Sequence, residues 1–330
     1  MNKKFILAGL IASFMIVLAA CGGGDKQSKS NSTSSSNGES AQSQVDNAGT
    51  GETRTIEYLG EKYTVPQKAE KIVIGAMEAM EDAVMLDVHP VGAISVGGKF
   101  PEMFASVTGK AESIGEKRQP NLEKILQLNP DVILGSTKFP KEVEEKLQKI
   151  APTILVSHVS TNWEDNLKLM GELTGKQAEA EKILSQYKTD TQAVKASLKE
   201  KLQGKKVAAV RIRGGQTYIF AKHVDFNPFL YNDIGLEMPE QVGMAKLQDA
   251  ISVEQLAEMN PDYLFVQFSM SDNKDAENAF EDLKKNPIIQ NINAFKHDHV
   301  YVNVVDPLME GGPVYSRIKF LESVQKYLNK

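Results

Sequence analysis

Two arginines at alternating positions are the residues of this chain best suited to chemistry with an anion. The segment Val207–Gly215 reads V-A-A-V-R-I-R-G-G, which is typical of a buried strand that ends in two cations and two glycines. Because side chains alternate along a strand, Arg211 and Arg213 are expected on one face, at the strand end where ligand sites of open α/β sheets lie. Gly214 and Gly215 would let a ligand approach the backbone closely. The competing interpretation is that both arginines pair with acids at the surface.

Other cations fall at comparable places in the sequence. Lys138 follows the predicted strand Val132–Ser136, Lys117 lies in the loop before the preceding helix, and Lys246 and Gln248 lie in a later loop. Taken singly, each lysine is better explained as a solvated surface residue. Together with the arginine pair they predict a cationic cleft, which would suit a multiply charged anion.

Metal binding and catalysis have weaker candidates. His297 and His299 would share one strand face as half of a metal site, but the sequence around them offers no further cluster of ligands. An exposed loop is the competing interpretation, and a direct metal-ion receptor is the function that the pair would imply. Nucleophile-elbow, phosphate-loop and dinucleotide motifs are absent from the sequence, so we predict a protein that is not an enzyme and has no cofactor.

An internal repeat must position these residues. Leu122–Leu134 reads L-E-K-I-L-Q-L-N-P-D-V-I-L, and Val253–Phe265 reads V-E-Q-L-A-E-M-N-P-D-Y-L-F. Each copy predicts a short helix that stops at Asn-Pro and is followed by a buried strand, with Asn121 and Ser252 as N-caps. We therefore predict an α/β fold of two similar lobes. Coincidence is the alternative, because this way of joining two elements is common.

Glu123 and Glu254 hold the same position in the two copies. Acids in the first turn of a helix are favoured by the helix dipole, which would explain both residues without any function. The alternative is a pair of acids on equivalent surfaces of the two lobes, placed to dock on a partner with two-fold symmetry.

A proline-free, alanine- and lysine-rich segment separates the two copies. It predicts a helix of about 27 residues, roughly 40 Å long, that ends before Gly204 and connects the lobes rigidly. We expect an N-terminal lobe over 54–173, the connecting helix within 174–203 and a C-terminal lobe over 204–330. A rigid connector predicts little lobe closure when a ligand binds the cleft between the lobes.

The amino terminus predicts a lipid anchor. Two lysines precede the apolar run Phe5–Ala20, and Leu18–Cys21 resembles a bacterial lipobox, so residues 1–20 are expected to be a lipoprotein signal peptide. Cys21, the sole cysteine of the chain, would carry the lipid, and the polar residues 21–53 would be a flexible tether. The net charge of −5 argues against nucleic acid as a partner.

Across its whole length the chain resembles the substrate-binding lipoproteins of iron-siderophore ABC importers, most closely the Feu-type receptors for ferri-bacillibactin and enterobactin of Gram-positive bacteria. The resemblance is carried by Met80–Pro90, Gly98–Pro101, Ser136–Pro140, Val210–Arg213, Met259–Ser269 and Asp298–Leu308. It implies a class III periplasmic-binding-protein-like fold, in which a long helix joins two lobes.

The resemblance also implies specific roles. Lys117, Lys138 and Arg213 would form the basic triad around a ferric catecholate siderophore, supported by Arg211, Lys246 and Gln248, with no side chain on the iron. Glu123 and Glu254 would dock on a membrane permease, and the protein would be a monomer anchored on the extracytoplasmic face of the cell membrane. Gly214 departs from the pattern, which has Gln there, and this leaves the preference among catecholates open. Another siderophore (hydroxamate or mixed carboxylate) or haem is the alternative ligand.

Overall fold

The computed structural model describes residues 52–329, and its N-terminal part is a hairpin beside a six-stranded sheet. The strands are β1 (Thr53–Tyr58), β2 (Glu61–Pro66), β3 (Ile72–Ile74), β4 (Gly92–Ser95), β5 (Glu112–Glu116), β6 (Gln119–Pro120), β7 (Val132–Ser136) and β8 (Thr153–Val156). The helices are α1 (Met77–Met85), α2 (Ala105–Thr108), α3 (Leu122–Leu128) and α4 (Lys141–Leu147). The sheet order is β6-β5-β4-β3-β7-β8, and every neighbouring pair is parallel except β5 and β6.

Two helices lead from this sheet to the next, α5 (Trp163–Thr174) and α6 (Gln177–Leu198). The predicted connecting helix is confirmed in α6, but its predicted length is wrong, because α6 has 22 residues and spans roughly 33 Å. Residues 199–203 form turns instead of further helix. Apart from Leu202 they are exposed, so they offer no apolar stripe that could hold another helical turn against the core.

The C-terminal part is built on a five-stranded sheet of order β11-β10-β9-β12-β13. Its strands are β9 (Val207–Arg213), β10 (Gln216–Phe220), β11 (Gln248–Ile251), β12 (Tyr263–Phe268) and β13 (Val300–Val302). Its helices are α7 (Glu240–Met244), α8 (Val253–Met259), α9 (Ala279–Lys285), α10 (Asn293–Lys296) and α11 (Val314–Leu328).

This second sheet mixes parallel and antiparallel strand pairs. β9, β12 and β13 are parallel, but β10 and β11 are antiparallel to their neighbours. Arg213 pairs with Gln216, so Gly214 and Gly215 are the two central residues of a tight hairpin turn, with φ of 54° and 75°. Positive φ at both positions is what such a turn requires, and this conformation explains the glycine pair without a ligand.

The internal repeat is confirmed in the structure, because both copies have the same local hydrogen bonds. Asn121 and Ser252 accept hydrogen bonds from the N–H groups three residues later, as N-caps do. Asn129 and Asn260 end the two helices with φ of 45° and 44°. In each copy the Asp two residues later hydrogen-bonds to the chain just before the neighbouring strand, β3 or β9.

One hydrophobic core reaches the inner faces of both sheets. It contains Ile74 and Leu134 from the first sheet, Ala209 and Phe265 from the second, and residues of α1, α5, α6 and α11 between them. Although α11 follows the last strand of the second sheet, it packs against α1, α5 and α6. The chain therefore crosses back after β13, through residues 303–313, and the two lobes share buried surface.

The predicted signal peptide, Cys21 and residues 21–51 of the predicted tether lie outside the described residues. Within residues 52–329, no helix combines the length and the apolar character that crossing a bilayer requires.

Candidate functional site

Lys117 and Lys138, which follow β5 and β7, converge on one carboxylate that the sequence did not single out. Lys117 Nζ lies 3.1 Å from Glu310 Oε1, and Lys138 Nζ lies 2.7 Å from Glu310 Oε2. Burial alone would raise the pKa of Glu310, but the two lysines outweigh it and lower the pKa to about 2. Glu310 is therefore a charged counter-ion of both lysines at neutral pH.

Lys138 has a second acidic partner at the start of α1. Its Nζ lies 2.8 Å from Oε1 of Glu78, whose side chain is 4% exposed. Burial would lower the pKa of Lys138, but Glu310 and Glu78 raise it above its usual value. Burial and the charge of Glu310 raise the pKa of Glu78. Lys138 is thus held between two carboxylates.

The arginines of β9 share a third carboxylate, Asp272. Arg211 Nη2 lies 2.8 Å from Asp272 Oδ2 and donates a second hydrogen bond to the carbonyl oxygen of Pro307 at 3.0 Å. Arg213 Nε lies 3.4 Å from the same oxygen of Asp272. The arginine side chains are 12% and 44% exposed, so the competing interpretation, pairing with an acid, describes Arg211, whereas Arg213 also faces solvent.

The two groups of cations meet at the segment that crosses between the lobes. Arg211 binds this segment at Pro307, and the two lysines bind it at Glu310. Both groups act on the buried Asp225: burial raises its pKa to about 7 and Glu310 also acts to raise it, while Arg211, Lys138 and Arg213 act to lower it. The structure thus brings Lys117, Lys138 and Arg211 to one junction, and Arg213 lies beside Arg211 at Asp272.

The other two predicted ligand residues, Lys246 and Gln248, lie at the start of β11. Pairing of β11 with β10, and of β10 with β9, puts Gln248 on the same sheet face as Arg211 and Arg213, two strands away. Lys246 is exposed, and its backbone N–H donates to Asp249 Oδ2 at 3.2 Å. Gln248 is therefore on the inner face of the second sheet, at its edge rather than at the junction, and Lys246 lies in the loop just before it.

Glu123 and Glu254 are both exposed in the first turns of α3 and α8. Hydrogen bonds from its own backbone N–H and from the Ser252 hydroxyl lower the pKa of Glu254. The two acids are therefore equivalent surface charges on the two lobes. The helix dipole alone is enough to explain why acids are stable there.

The histidine pair is held by the protein. His297 Nδ1 lies 2.9 Å from the carbonyl oxygen of Asn293, and His299 Nδ1 lies 3.2 Å from that of Asp262. The His299 ring also stacks on Tyr263, with centroids 4.3 Å apart. Among residues 52–329, no group of three or more His, Cys, Asp or Glu side chains is arranged to hold a metal ion.

Three buried acids of α1, Glu78, Glu81 and Asp82, escaped sequence reasoning. Glu81 accepts hydrogen bonds from the backbone N–H of Glu310 at 2.8 Å and from that of Ser316 at 3.0 Å, so α1 fixes the crossing segment. Nothing in the sequence signals this burial, because acids at positions i, i+3 and i+4 share one helix face and such a stripe is usually solvated. Packing of α11 and α5 against α1 is what buries them.

Because these acids are buried, we predict that the free energy of unfolding falls as pH rises from 6 to 8.5. Burial raises the pKa of Glu81 to about 8, and burial together with Glu81 raises that of Asp82. The folded state therefore holds protons that the unfolded state has lost, and the stabilisation is lost as pH rises through about 8. The expected slope is up to about 1.4 kcal/mol per pH unit for each group.

Urea unfolding midpoints across this pH range would measure the effect. Neither carboxylate oxygen of Asp82 has a hydrogen-bond partner among the described residues, so Asp82→Asn is expected to flatten the profile. Glu322→Gln, which removes an exposed acid from α11, should leave the slope as it is. A wild-type midpoint that stays constant or rises from pH 6 to 8.5 would contradict the prediction.

Comparison with known proteins finds a family and close relatives. Residues 88–303 match the family model described as periplasmic binding protein. The "Iron-uptake system-binding protein" of Bacillus subtilis (strain 168) is 46% identical over 329 residues, which cover 99% of each chain. The "Iron(3+)-hydroxamate-binding protein FhuD" of the same organism is 28% identical over 314 residues, covering 93% of this chain and 91% of the relative.

A solved structure resembles the chain as well. It is the triscatecholate siderophore binding protein FeuA from Bacillus subtilis complexed with ferri-bacillibactin. The match has a TM-score of 0.79 and 49% sequence identity, and it covers 83% of this chain and 98% of that chain.

Proposed function

Because the chain belongs to the periplasmic binding protein family, we propose that it is the substrate-binding protein of an iron ABC importer and that its ligand is a ferric catecholate siderophore. The protein captures the complex at the junction of its two lobes and delivers it to a membrane permease. It carries out no reaction of its own, since the siderophore arrives with its iron already coordinated. We propose that residues 54–173 and 204–330 contribute the two halves of this receptor, with α11 of the second range returning to pack on the first.

The observation that carries this function is the meeting of Lys117, Lys138 and Arg211 at the crossing segment, with Arg213 sharing Asp272 with Arg211. A ferric tris-catecholate is a multiply charged anion, because three catecholate dianions outweigh one ferric ion. Lysine and arginine form charge-assisted hydrogen bonds with such oxygens and cation–π contacts with the catechol rings. In this proposal Lys117, Lys138 and Arg213 bind the ligand directly, and Arg211, Lys246 and Gln248 support them.

A fluorescence titration of the purified protein tests the proposal. Trp163, the sole tryptophan of the chain, lines a small cavity together with Glu78 and Glu310, so its emission should report on binding. We expect saturable quenching by ferric bacillibactin and ferric enterobactin, and none by haem or by free metal ions. Binding of a bare ion without any catecholate binding would contradict the proposal.

A hydroxamate receptor is the second candidate, favoured by the 28% identity to FhuD. Ferric trihydroxamates are neutral, however, so they gain less from a site built around four cations. The same titration with a ferric hydroxamate decides between the two ligand classes.

We propose that Cys21 carries the lipid anchor and that residues 21–53 tether the folded lobes to the extracytoplasmic face of the cell membrane. Two acyl chains would make this anchor stable, since a single chain binds a bilayer only marginally. The folded part is proposed to act as a monomer.

Glu123 and Glu254 are proposed to dock on basic residues of the permease, which predicts a separable defect. Glu123→Lys with Glu254→Lys should lower cellular uptake of iron from the ferric catecholate by at least about tenfold, because like charges would then face each other across the interface. Affinity for the ligand in solution should stay unchanged. Glu142→Lys reverses another exposed first-turn glutamate, outside the repeat, and should leave uptake intact. Normal iron uptake by the double variant would contradict the proposal that Glu123 and Glu254 dock on the permease.

Lobe closure on binding is expected to be small. The shared core and α11 would have to shear if the lobes rotated, because residues of both sheets pack on the same helices. We expect backbone displacements between lobes below about 2 Å, within the range of pre-organised binding. Crystal structures with and without ligand measure this, and a large lobe rotation would contradict it.

A further inference from the structure

Glu310 stands where a bound anion is expected. Its two carboxylate oxygens are divided between Lys117 and Lys138, at 3.1 and 2.7 Å, which are the two cations that the proposed function gives to the ligand. A lysine ammonium has three donor hydrogens. Lys117 gives one to Glu310, and Lys138 gives one to Glu310 and one to Glu78. A ligand that needs both lysines must compete with this carboxylate.

The backbone of Glu310 is fixed, so the carboxylate is the part that can move. The Glu310 N–H donates to Glu81 Oε1 at 2.8 Å, and the N–H of Gly311 donates to Ser316 Oγ at 3.1 Å. A Cβ on Gly311 would collide with Asp225 Oδ1, so the chain there is packed without spare space. Rotation of the Glu310 side chain is therefore the route by which it can release the lysines.

Asp272, the acid paired with the arginines, is harder for a ligand to displace than Glu310. Asp272 binds Arg211 through two nitrogens, and Arg211 is nearly buried and also held by Pro307. Exchange of that acid for a ligand would leave a buried guanidinium without its partner, which is costly. Glu310 faces half-buried lysines, and Lys138 keeps Glu78 when Glu310 leaves.

We propose that Glu310 is a specificity-determining residue: it is the internal counter-ion of Lys117 and Lys138, and only a multiply charged anion displaces it. The inference rests on the proposed function, since it names how the same site selects its ligand. Neutral iron complexes gain too little from the lysines to displace a carboxylate. A ferric tris-catecholate offers several anionic oxygens, and charge-assisted bonds to them replace those that Glu310 gives up.

The test compares the wild type with Glu310→Gln in titrations against ferric bacillibactin and against a neutral ferric hydroxamate. Glutamine keeps the shape and the backbone hydrogen bond but loses the charge, so we expect the catecholate to bind at least about tenfold more tightly. The hydroxamate, which the carboxylate excludes in the wild type, should gain measurable affinity, so the preference for the catecholate should narrow. Glu322→Gln removes the same charge from an exposed site on α11 and should change neither affinity.

Each outcome decides the matter. Catecholate affinity that is unchanged or weaker in Glu310→Gln would overturn the inference, because Glu310 would then only order the lysines. A hydroxamate that still fails to bind Glu310→Gln would also overturn it, because the carboxylate would then not be what excludes neutral complexes. Glu310→Ala repeats the charge removal if the glutamine variant does not fold. If wild type and variants all fail to bind catecholates while thermal unfolding shows them folded, the proposed function is wrong and the inference falls with it.

Discussion

Alanine at Lys117, Lys138 and Arg213 together is expected to lower the affinity for a ferric catecholate by a factor of roughly 1000 or more. Each of the three side chains would give the ligand at least one charge-assisted hydrogen bond, worth about 1.5–3 kcal/mol, and a factor of ten corresponds to about 1.4 kcal/mol. The loss should exceed the sum of the contacts, because Glu78 and Glu310 would remain at the junction without Lys138 and would repel the anion. Fluorescence titration at constant ionic strength measures the affinity.

The matched control removes three other cations. Lys188, Lys284 and Lys319 each form a surface ion pair, so replacing all three by alanine changes the net charge by the same amount at little cost in stability. Its catecholate affinity should stay within about threefold of the wild type, because water and salt screen the charges of exposed ion pairs. Equal losses in both triple variants would mean that net charge, and not these three positions, governs binding.

Alanine at Arg317 is expected to cost about 3–5 kcal/mol of stability, the largest effect of any single substitution proposed here. Arg317 lies on α11, is 1% exposed, and forms an ion pair with Asp233 of the C-terminal part. It also donates to the carbonyl oxygens of Ser160, at 2.9 Å, and of Gly312, at 2.6 Å. One guanidinium therefore ties α11 to both lobes and to the crossing segment, and its loss leaves Asp233 and two carbonyls without this donor.

Thermal unfolding followed by Trp163 emission measures this, because the Arg317 guanidinium lies 4.6 Å from the centre of the Trp163 ring. The midpoint should fall by on the order of 10 °C, at about 2–4 °C per kcal/mol for a domain of this size class. Arg317→Lys keeps a positive charge but loses the planar guanidinium, so its unfolding midpoint should lie between those of the wild type and Arg317→Ala. Lys319→Ala, two residues further along the same helix, should shift the midpoint by less than about 2 °C, since it breaks only a surface pair. If Arg317→Ala and Lys319→Ala unfold at the same midpoint, Arg317 does not stabilise the junction of α11 with the two lobes.

Elements that depend on local chemistry were predictable from the sequence. The helix stops at Asn129 and Asn260 follow from the proline that comes next, and the N-caps follow from Asn121 and Ser252. The same pattern recurs 131 residues later, which predicts two lobes, and the presence of two sheets confirms this. The antiparallel direction of β10 also follows from the sequence, because two glycines between extended segments favour a hairpin turn. That turn explains Gly214 and Gly215 without the approach of a ligand.

The partners of the cations were not predictable. Glu310 is 193 residues from Lys117 and 172 from Lys138, and in the sequence it is one acid in a loop among many. Glu310 reaches the lysines only because the chain returns to the first lobe after β13, and no local sequence pattern predicts that return. For the same reason the sequence predicts a cleft of unpaired cations, whereas Lys117, Lys138, Arg211 and Arg213 each lie within 4 Å of a carboxylate.

A crystal structure of the complex with ferric bacillibactin, with the iron located by its anomalous scattering, is the most direct test of the proposed function. We expect the iron at the junction of the lobes, coordinated by catecholate oxygens alone, with Lys117 Nζ, Lys138 Nζ and the Arg213 guanidinium within hydrogen-bond distance of those oxygens. Iron bound by His297 or His299, or a ligand seated away from residues 307–311, would contradict it.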